Sequence, residues 1–112
     1  MANTLNFNNV KKRYLTVTLA DEKKTTLMIG TPTKAILDEL ESLQGAIEEF
    51  NEDTSSEALN SVYLLCARVM SRNKGGIKIT KENLEEIFDF EDIVIFFNAY
   101  ISFVHEVTNT KN

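Results

Sequence analysis

The sequence predicts an α+β domain that is mostly α, with an N-terminal β-hairpin followed by three to four helices. Two short runs rich in β-branched residues lie near the start of the chain, and apolar residues recur at helical spacing through most of the remainder. One proline and four glycines leave little room for long linkers. A chain of 112 residues is expected to form a single domain, 1–112, around one core.

The hairpin is expected over residues 13–30. In RYLTVTLA, the apolar residues Leu15, Val17 and Leu19 alternate with threonines, which is the period of a strand with one buried face. The polar segment DEKK separates this run from TTLMIG, a second run of the same kind. Because a lone hairpin is only marginally stable in water, a helix or a third strand is expected to cover its apolar face.

Four helical segments are expected after the hairpin, each introduced by a residue whose side chain can accept a bond from the first helical turn. The expected helices span about 32–50, 55–72, 81–88 and 90–107, followed by a polar tail at 108–112. The expected capping residues are Thr31, Thr54, Thr80 and Asp89. The segment SRNKGG supplies the asparagine and glycines that typically end a helix, here the second one.

Charge and length argue against nucleic acid and membrane as partners. The formal net charge is −5, and the basic residues concentrate in the first third of the chain, so the helices present an acidic exterior. The longest unbroken apolar run, Ile93 to Phe97, is far shorter than the roughly 20 residues of a membrane-spanning helix. The N-terminus has no apolar stretch typical of a secretory signal. We therefore expect a cytoplasmic protein.

The residue types of catalysis and metal binding occur in arrangements that predict neither. His105 is the only histidine and Cys66 the only cysteine, so one chain forms neither a two-histidine metal site nor a disulfide. Cys66 lies on the apolar stripe of the second helix, where a cysteine behaves as a small hydrophobic residue. The acidic clusters are expected to be solvated helix ends. We predict no enzyme, no catalytic residue, no cofactor and no metal.

The last helix, FEDIVIFFNAYISFVHEV, is apolar on more than one face. Its main stripe is Phe90, Ile93, Phe97, Tyr100, Val104 and Val107, and Ile95, Phe96 and Phe103 fall outside it. Either this helix is enclosed by the others, or one face is kept for another protein chain. On the second interpretation, polar replacements of Phe96 and Phe103 leave the fold intact. The candidate protein-binding residues are Ile95, Phe96, Ala99 and Phe103.

The chain resembles the small tail assembly chaperones of bacteriophages with long non-contractile tails. The resemblance covers most of residues 13–107 and rests on a basic hairpin leading into TKAILDELESL, an acidic linker before SSEALNSVYLLCARVMSRN, and the section ENLEEIFDFEDIVIFFNAY. It implies a non-enzymatic cytoplasmic factor of the bacterial host that holds the tape-measure protein soluble, recruits tail-tube subunits and is absent from the mature virion. It implies no catalytic residue.

Two other functions remain open at this stage. A structural phage subunit would use the same apolar helix for a symmetric self-contact, as a homo-oligomer that stays in the particle. A small DNA-binding regulator is the more distant alternative, because the basic residues lie in the hairpin and in SRNKGGIKITK rather than on a helix suited to the major groove.

Overall fold

The computed structural model describes residues 5–6, 12–48 and 56–109, without the side chain of Asn109. Two strands precede four helices in the described ranges, which confirms the prediction of an α+β, mostly α fold with an N-terminal hairpin. The elements are β1 (Leu15–Thr18), β2 (Thr26–Ile29), α1 (Lys34–Glu48), α2 (Ser56–Met70), α3 (Lys81–Ile87) and α4 (Phe90–Asn109). The expected Thr54 cap, and residues 110–112 of the expected tail, lie outside the described residues.

The hairpin turn is held by a side chain rather than by an Asn-Gly pair. The Asp21 carboxylate accepts the Thr25 backbone N–H at 2.8 Å and the Thr25 hydroxyl at 2.6 Å. These two bonds favour the charged form and lower the pKa of Asp21. Lys24 takes the left-handed conformation, with φ of 52°, that closes the turn. β1 and β2 then pair antiparallel, with Leu15 opposite Ile29 and Thr18 opposite Thr26.

A segment of the loop between α2 and α3 covers the outer edge of β2. The Lys74 N–H donates to the Met28 carbonyl oxygen at 2.9 Å, and the Gly30 N–H donates to the Arg72 carbonyl oxygen at 3.0 Å. Asn73 forms an isolated antiparallel bridge with Ile29. The loop covers this edge, whereas the apolar face of the hairpin is covered by helices, as expected: α2 packs against β2, and Leu27 and Ile29 lie in the core cluster.

The second helix occupies the centre of the domain. α2 packs against β2, α1, α3 and α4. Leu65 and Ala67 are buried as well as Val62, Tyr63, Cys66, Val69 and Met70, because neighbours surround α2 on several sides. The large side chains that are fully buried are Leu27, Ile29, Leu40, Val62, Leu65, Cys66, Val69, Met70, Leu84, Ile93, Phe97 and Tyr100.

Two of the predicted N-terminal capping residues, Thr80 and Asp89, cap their helices, and one, Thr31, does not. The Thr80 hydroxyl accepts the Asn83 N–H at 3.1 Å and the Asn83 side chain accepts the Thr80 N–H, a reciprocal capping box. Asp89 and Asp92 form the same reciprocal arrangement at the start of α4. The expected Thr31 cap is wrong. α1 begins at Lys34, and the hydroxyl of Thr33, two residues later, accepts the Ile36 N–H at 3.3 Å.

The last helix is longer than predicted. α4 runs to Asn109, so Thr108 belongs to the helix rather than to the polar tail. The Thr108 hydroxyl donates to the Val104 carbonyl oxygen at 2.8 Å, which satisfies one acceptor of the last turn. Within the described ranges, no helix combines the length and apolarity needed to cross a bilayer.

Candidate functional site: an apolar ridge between two grooves

One face of α4 forms the part of the core that the sequence predicts. Ile93, Phe97 and Tyr100 are fully buried and Val104 is nearly so, as the spacing of three and four residues requires. Phe90, at the start of the same predicted stripe, is instead 39% exposed. It is the first residue of α4.

The candidate binding residues do not share one environment. Ile95 is 66% exposed and Ala99 is also exposed, so both are available to a partner. Phe103 is half-buried, packs against the core, and places its ring 5.8 Å from that of Tyr100. Of these three, Ile95 is the large apolar side chain that stands open to solvent.

The expectation that Phe96 is exposed is wrong. Phe96 is only 6% exposed, and its ring stacks 6.0 Å from that of Tyr100. Counting helix faces missed this burial because it could not tell that β1 lies beside this face of α4, where Phe96 lines a groove together with Leu15 and Val17. Leu15 and Val17 of β1 pack against the same core cluster. A polar replacement of Phe96 would therefore disturb the fold itself.

A groove of about 320 Å³ separates β1 from the first half of α4. Its lining residues are Leu15, Thr16, Val17, Thr18, Ala20, Phe88, Asp92, Ile95, Phe96 and Ala99. Asp92 is the one ionisable side chain among them, and one of its carboxylate oxygens already accepts the Asp89 N–H at 3.0 Å. The groove is thus mostly apolar, with two threonines of β1 and one carboxylate in its lining.

A second groove of about 270 Å³ lies on the other side of Ile95. Ile47, Phe90, Glu91, Val94 and Ile95 line it. Because Ile95 belongs to both grooves, its side chain forms a ridge between them. We call this surface, made of Phe90, Val94, Ile95 and Ala99, the α4 ridge.

Cys66 and Tyr63 both have structural roles. Burial raises the pKa of the Cys66 thiol to about 12, so the thiol stays protonated and unreactive. The Tyr63 hydroxyl donates to the Phe88 carbonyl oxygen at 2.9 Å, which fixes the junction of α3 and α4. Over the described residues, no three His, Cys, Asp or Glu side chains gather in a way that could hold a metal ion.

A third, polar cavity of about 250 Å³ lies between the hairpin exit and the α2–α3 loop. Two of its basic side chains have partners of their own. The Arg72 guanidinium donates to the Thr31 carbonyl oxygen at 3.1 Å, and the Lys74 ammonium lies 5.8 Å from the centre of the Tyr14 ring. These contacts hold the loop against the hairpin.

The contribution of the hairpin to the site was not predicted. The alternation of Leu15 and Val17 indicates that β1 has one apolar face, but nothing in it says which helix that face meets. Phe88 also lines the groove between β1 and α4, half-buried, while packing against the core cluster. Comparison with models of protein families, with curated proteins and with solved structures finds nothing that matches this chain.

Proposed function

We propose that this chain is a non-enzymatic tail assembly chaperone of a long-tailed bacteriophage. It binds the tape-measure protein through the α4 ridge, aids assembly of the tail-tube protein, acts in the cytoplasm of the bacterial host, and is absent from the mature virion. The resemblance of residues 13–107 to that family supports the proposal. The observation that carries it is the exposed Ile95 between two apolar grooves.

The α4 ridge has the form that a helical client requires. An amphipathic helix docks by laying apolar side chains, spaced three and four residues apart, into a hydrophobic groove, and a groove lies on each side of the α4 ridge. Ile95 supplies the central anchor, and burying one such side chain is worth about 1.5–3 kcal/mol. Glu91 and Asp92 lie at the rim, so a client segment with flanking lysines or arginines is favoured.

The test is co-expression of the tape-measure protein from the same phage genome with this chain and with two variants. Ile95→Asp places a charge on the ridge and is expected to abolish both client pull-down and client solubility. Leu64→Asp is the matched control, because Leu64 is 51% exposed on α2 and lines neither groove. If Ile95→Asp keeps the client soluble as well as the unchanged protein does, the ridge is not the binding surface.

Mass spectrometry of purified phage particles separates the chaperone from a structural subunit. A chaperone is released before the particle is complete, so its peptides are expected to be missing from particles whose tail-tube peptides are abundant. Stoichiometric recovery of this chain from particles would establish the structural role instead.

A further inference from the structure

A cleft of about 540 Å³ lies between α2 and the segment that leads into α3. We call it the α2–α3 cleft. Its first wall is one face of α2, formed by residues at spacings of three and four: Leu64, Ala67, Arg68 and Ser71. Residues 78–82 form the opposite wall, and the Ile79 N–H donates to the Ser71 hydroxyl at 3.0 Å, which fixes this wall against the helix. The cleft shares no lining residue with the two grooves beside Ile95.

The floor of the α2–α3 cleft is apolar. Ile36, Ala67 and Ile79 are buried beneath it, and Leu64 is 51% exposed at its side. An apolar side chain of a ligand gains free energy when it displaces water from such a surface. The floor therefore favours a ligand that carries at least one apolar group.

Cations surround this floor. Among the described lining residues, four side chains are basic, Arg68, Arg72, Lys78 and Lys81, and Glu82 is the one carboxylate. Arg68 and Lys81 also form ion pairs, with Glu39 and Glu85 respectively. A guanidinium has five N–H donors and an ammonium three, so one bonded carboxylate leaves donors for another. Four cations face three carboxylates even when both pairs are counted, so the cleft attracts anionic groups.

Arg72 and Lys78 carry charges that no carboxylate of the described residues neutralises. The Arg72 guanidinium is held by the Thr31 carbonyl oxygen, and it also lines the neighbouring polar cavity at the hairpin exit. That cavity adds Lys12 and Lys74, which likewise belong to no described ion pair. Four cations without a carboxylate partner thus collect around two adjoining cavities, in a chain whose net charge is −5.

An acidic polypeptide fits both features of the α2–α3 cleft better than a nucleic acid does. The cations alone do not distinguish the two, because a guanidinium binds carboxylate and phosphate with similar geometry. A polypeptide can place an apolar side chain on the floor beside its carboxylates. Bases of single-stranded nucleic acid stack on aromatic side chains, and none of the described residues that line the cleft is aromatic.

We propose that the α2–α3 cleft binds an acidic segment of a partner protein, with a leucine-like side chain on the apolar floor and flanking carboxylates on Arg72 and Lys78. This inference goes beyond the proposed function and does not rest on it. The charge preference is opposite to that of the α4 ridge, where Glu91 and Asp92 favour a segment with basic flanks. The two surfaces therefore select different partner segments.

The test is fluorescence anisotropy with a labelled synthetic peptide of about twelve residues, rich in glutamate and carrying two leucines at helical spacing. Its dissociation constant is expected to lie below about 1 mM and to rise with NaCl, because salt screens exposed charges. Lys78→Glu reverses a charge at the rim and is expected to raise the constant by roughly tenfold. Lys23→Glu is the matched control, since Lys23 is an exposed lysine of the hairpin turn that lines neither the cleft nor the polar cavity.

A second pair of variants tests the apolar floor. Leu64→Asp places a carboxylate where the peptide leucine binds and is expected to raise the dissociation constant by roughly tenfold. Ile95→Asp makes the same kind of change on the α4 ridge and is expected to leave the constant within about twofold of its original value. Circular dichroism establishes that the variants keep the fold. A tape-measure segment with basic flanks is not a ligand for this cleft, so Leu64→Asp remains a valid control for the ridge.

Three results would overturn the proposal: no binding of the acidic peptide at about 1 mM, equal weakening by Lys23→Glu and Lys78→Glu, or unchanged affinity when the peptide leucines are replaced by serine. Equal weakening would mean that only the net charge of the chain matters. Displacement of the peptide by a DNA oligonucleotide, at a lower concentration than the unlabelled peptide requires, would also overturn it and would identify nucleic acid as the better ligand.

Discussion

The Tyr100 hydroxyl donates a 2.7 Å hydrogen bond to the carbonyl oxygen of Gly30, 70 residues earlier in the chain. This bond ties the middle of α4 to the exit of the hairpin. Tyr100 is fully buried, and burial raises the pKa of its hydroxyl to about 12. The hydroxyl therefore remains a donor over the ordinary pH range. The bond acts together with the packing of the hairpin against the core cluster.

Tyr100→Phe is expected to lower the free energy of unfolding by about 1–2 kcal/mol, because it leaves a partly buried carbonyl oxygen without this donor while the ring still fits. Urea denaturation followed by circular dichroism measures the change. Tyr14→Phe is the control, since Tyr14 is half-buried and its hydroxyl makes no described hydrogen bond. An equal loss in both variants would mean that the bond to Gly30 contributes nothing specific.

The buried thiol predicts a loss of stability at alkaline pH. The pKa of Cys66 rises from its ordinary value of 9.0 to about 12 in the folded protein. Below pH 9 both states keep the proton. Between these two values the unfolded chain releases it and the folded chain does not, so the free energy of unfolding falls as pH rises.

Cys66→Ala is expected to flatten this pH dependence, although it lowers stability at neutral pH by creating a small cavity. Urea midpoints at pH about 8 and about 10 measure the difference between the variant and the unchanged protein, since Tyr100 affects both alike. If the urea midpoint changes equally with pH in the variant and in the unchanged protein, the fold does not raise the pKa of the Cys66 thiol. A thiol reagent should likewise react with the unfolded protein far faster than with the folded one.

Phe96 and Ile95 are adjacent in the chain, but truncating Phe96 should destabilise the protein strongly and truncating Ile95 should hardly change its stability. Phe96→Ala empties a buried position and is expected to lower the free energy of unfolding by about 3–5 kcal/mol. Ile95→Ala removes an exposed side chain and is expected to change it by less than about 0.5 kcal/mol. Thermal and urea unfolding of the two variants test this directly. Similar losses of unfolding free energy in the two variants would mean that Ile95 is part of the core and that the α4 ridge is not an exposed surface.

The capping box of α3 predicts the effect of a small change at the surface. Thr80→Ala removes the acceptor for the Asn83 N–H and should lower the free energy of unfolding by about 1 kcal/mol. Thr80→Ser keeps the hydroxyl and should lose much less. If both variants lose the same amount by urea denaturation, then the methyl group of Thr80, rather than its hydroxyl, stabilises this junction.

Local chemistry was predictable where a short segment determines its own structure. Thr80 and Asp89 cap their helices as expected, because each bond they accept comes from an amide three residues away. The alternation in β1 identified its buried face for the same reason. The prediction that Thr31 caps α1 was wrong, although it too concerned only a few residues. Thr33 can accept the same kind of bond, and the proline between the two threonines does not determine which of them is the cap.

The amino-acid sequence by itself determined the hairpin, the helices, most of the buried stripe of α4 and the inert position of Cys66, because hydrophobic period and capping act over a few residues. Only the tertiary structure decided that Phe96 is buried while Ile95 is exposed, and that the α2–α3 loop covers the outer edge of β2. Those outcomes depend on which distant segments meet: β1 against α4, and the α2–α3 loop against β2. The period of a helix says how many faces are apolar, but the packing of its neighbours decides which of them remains available to a partner.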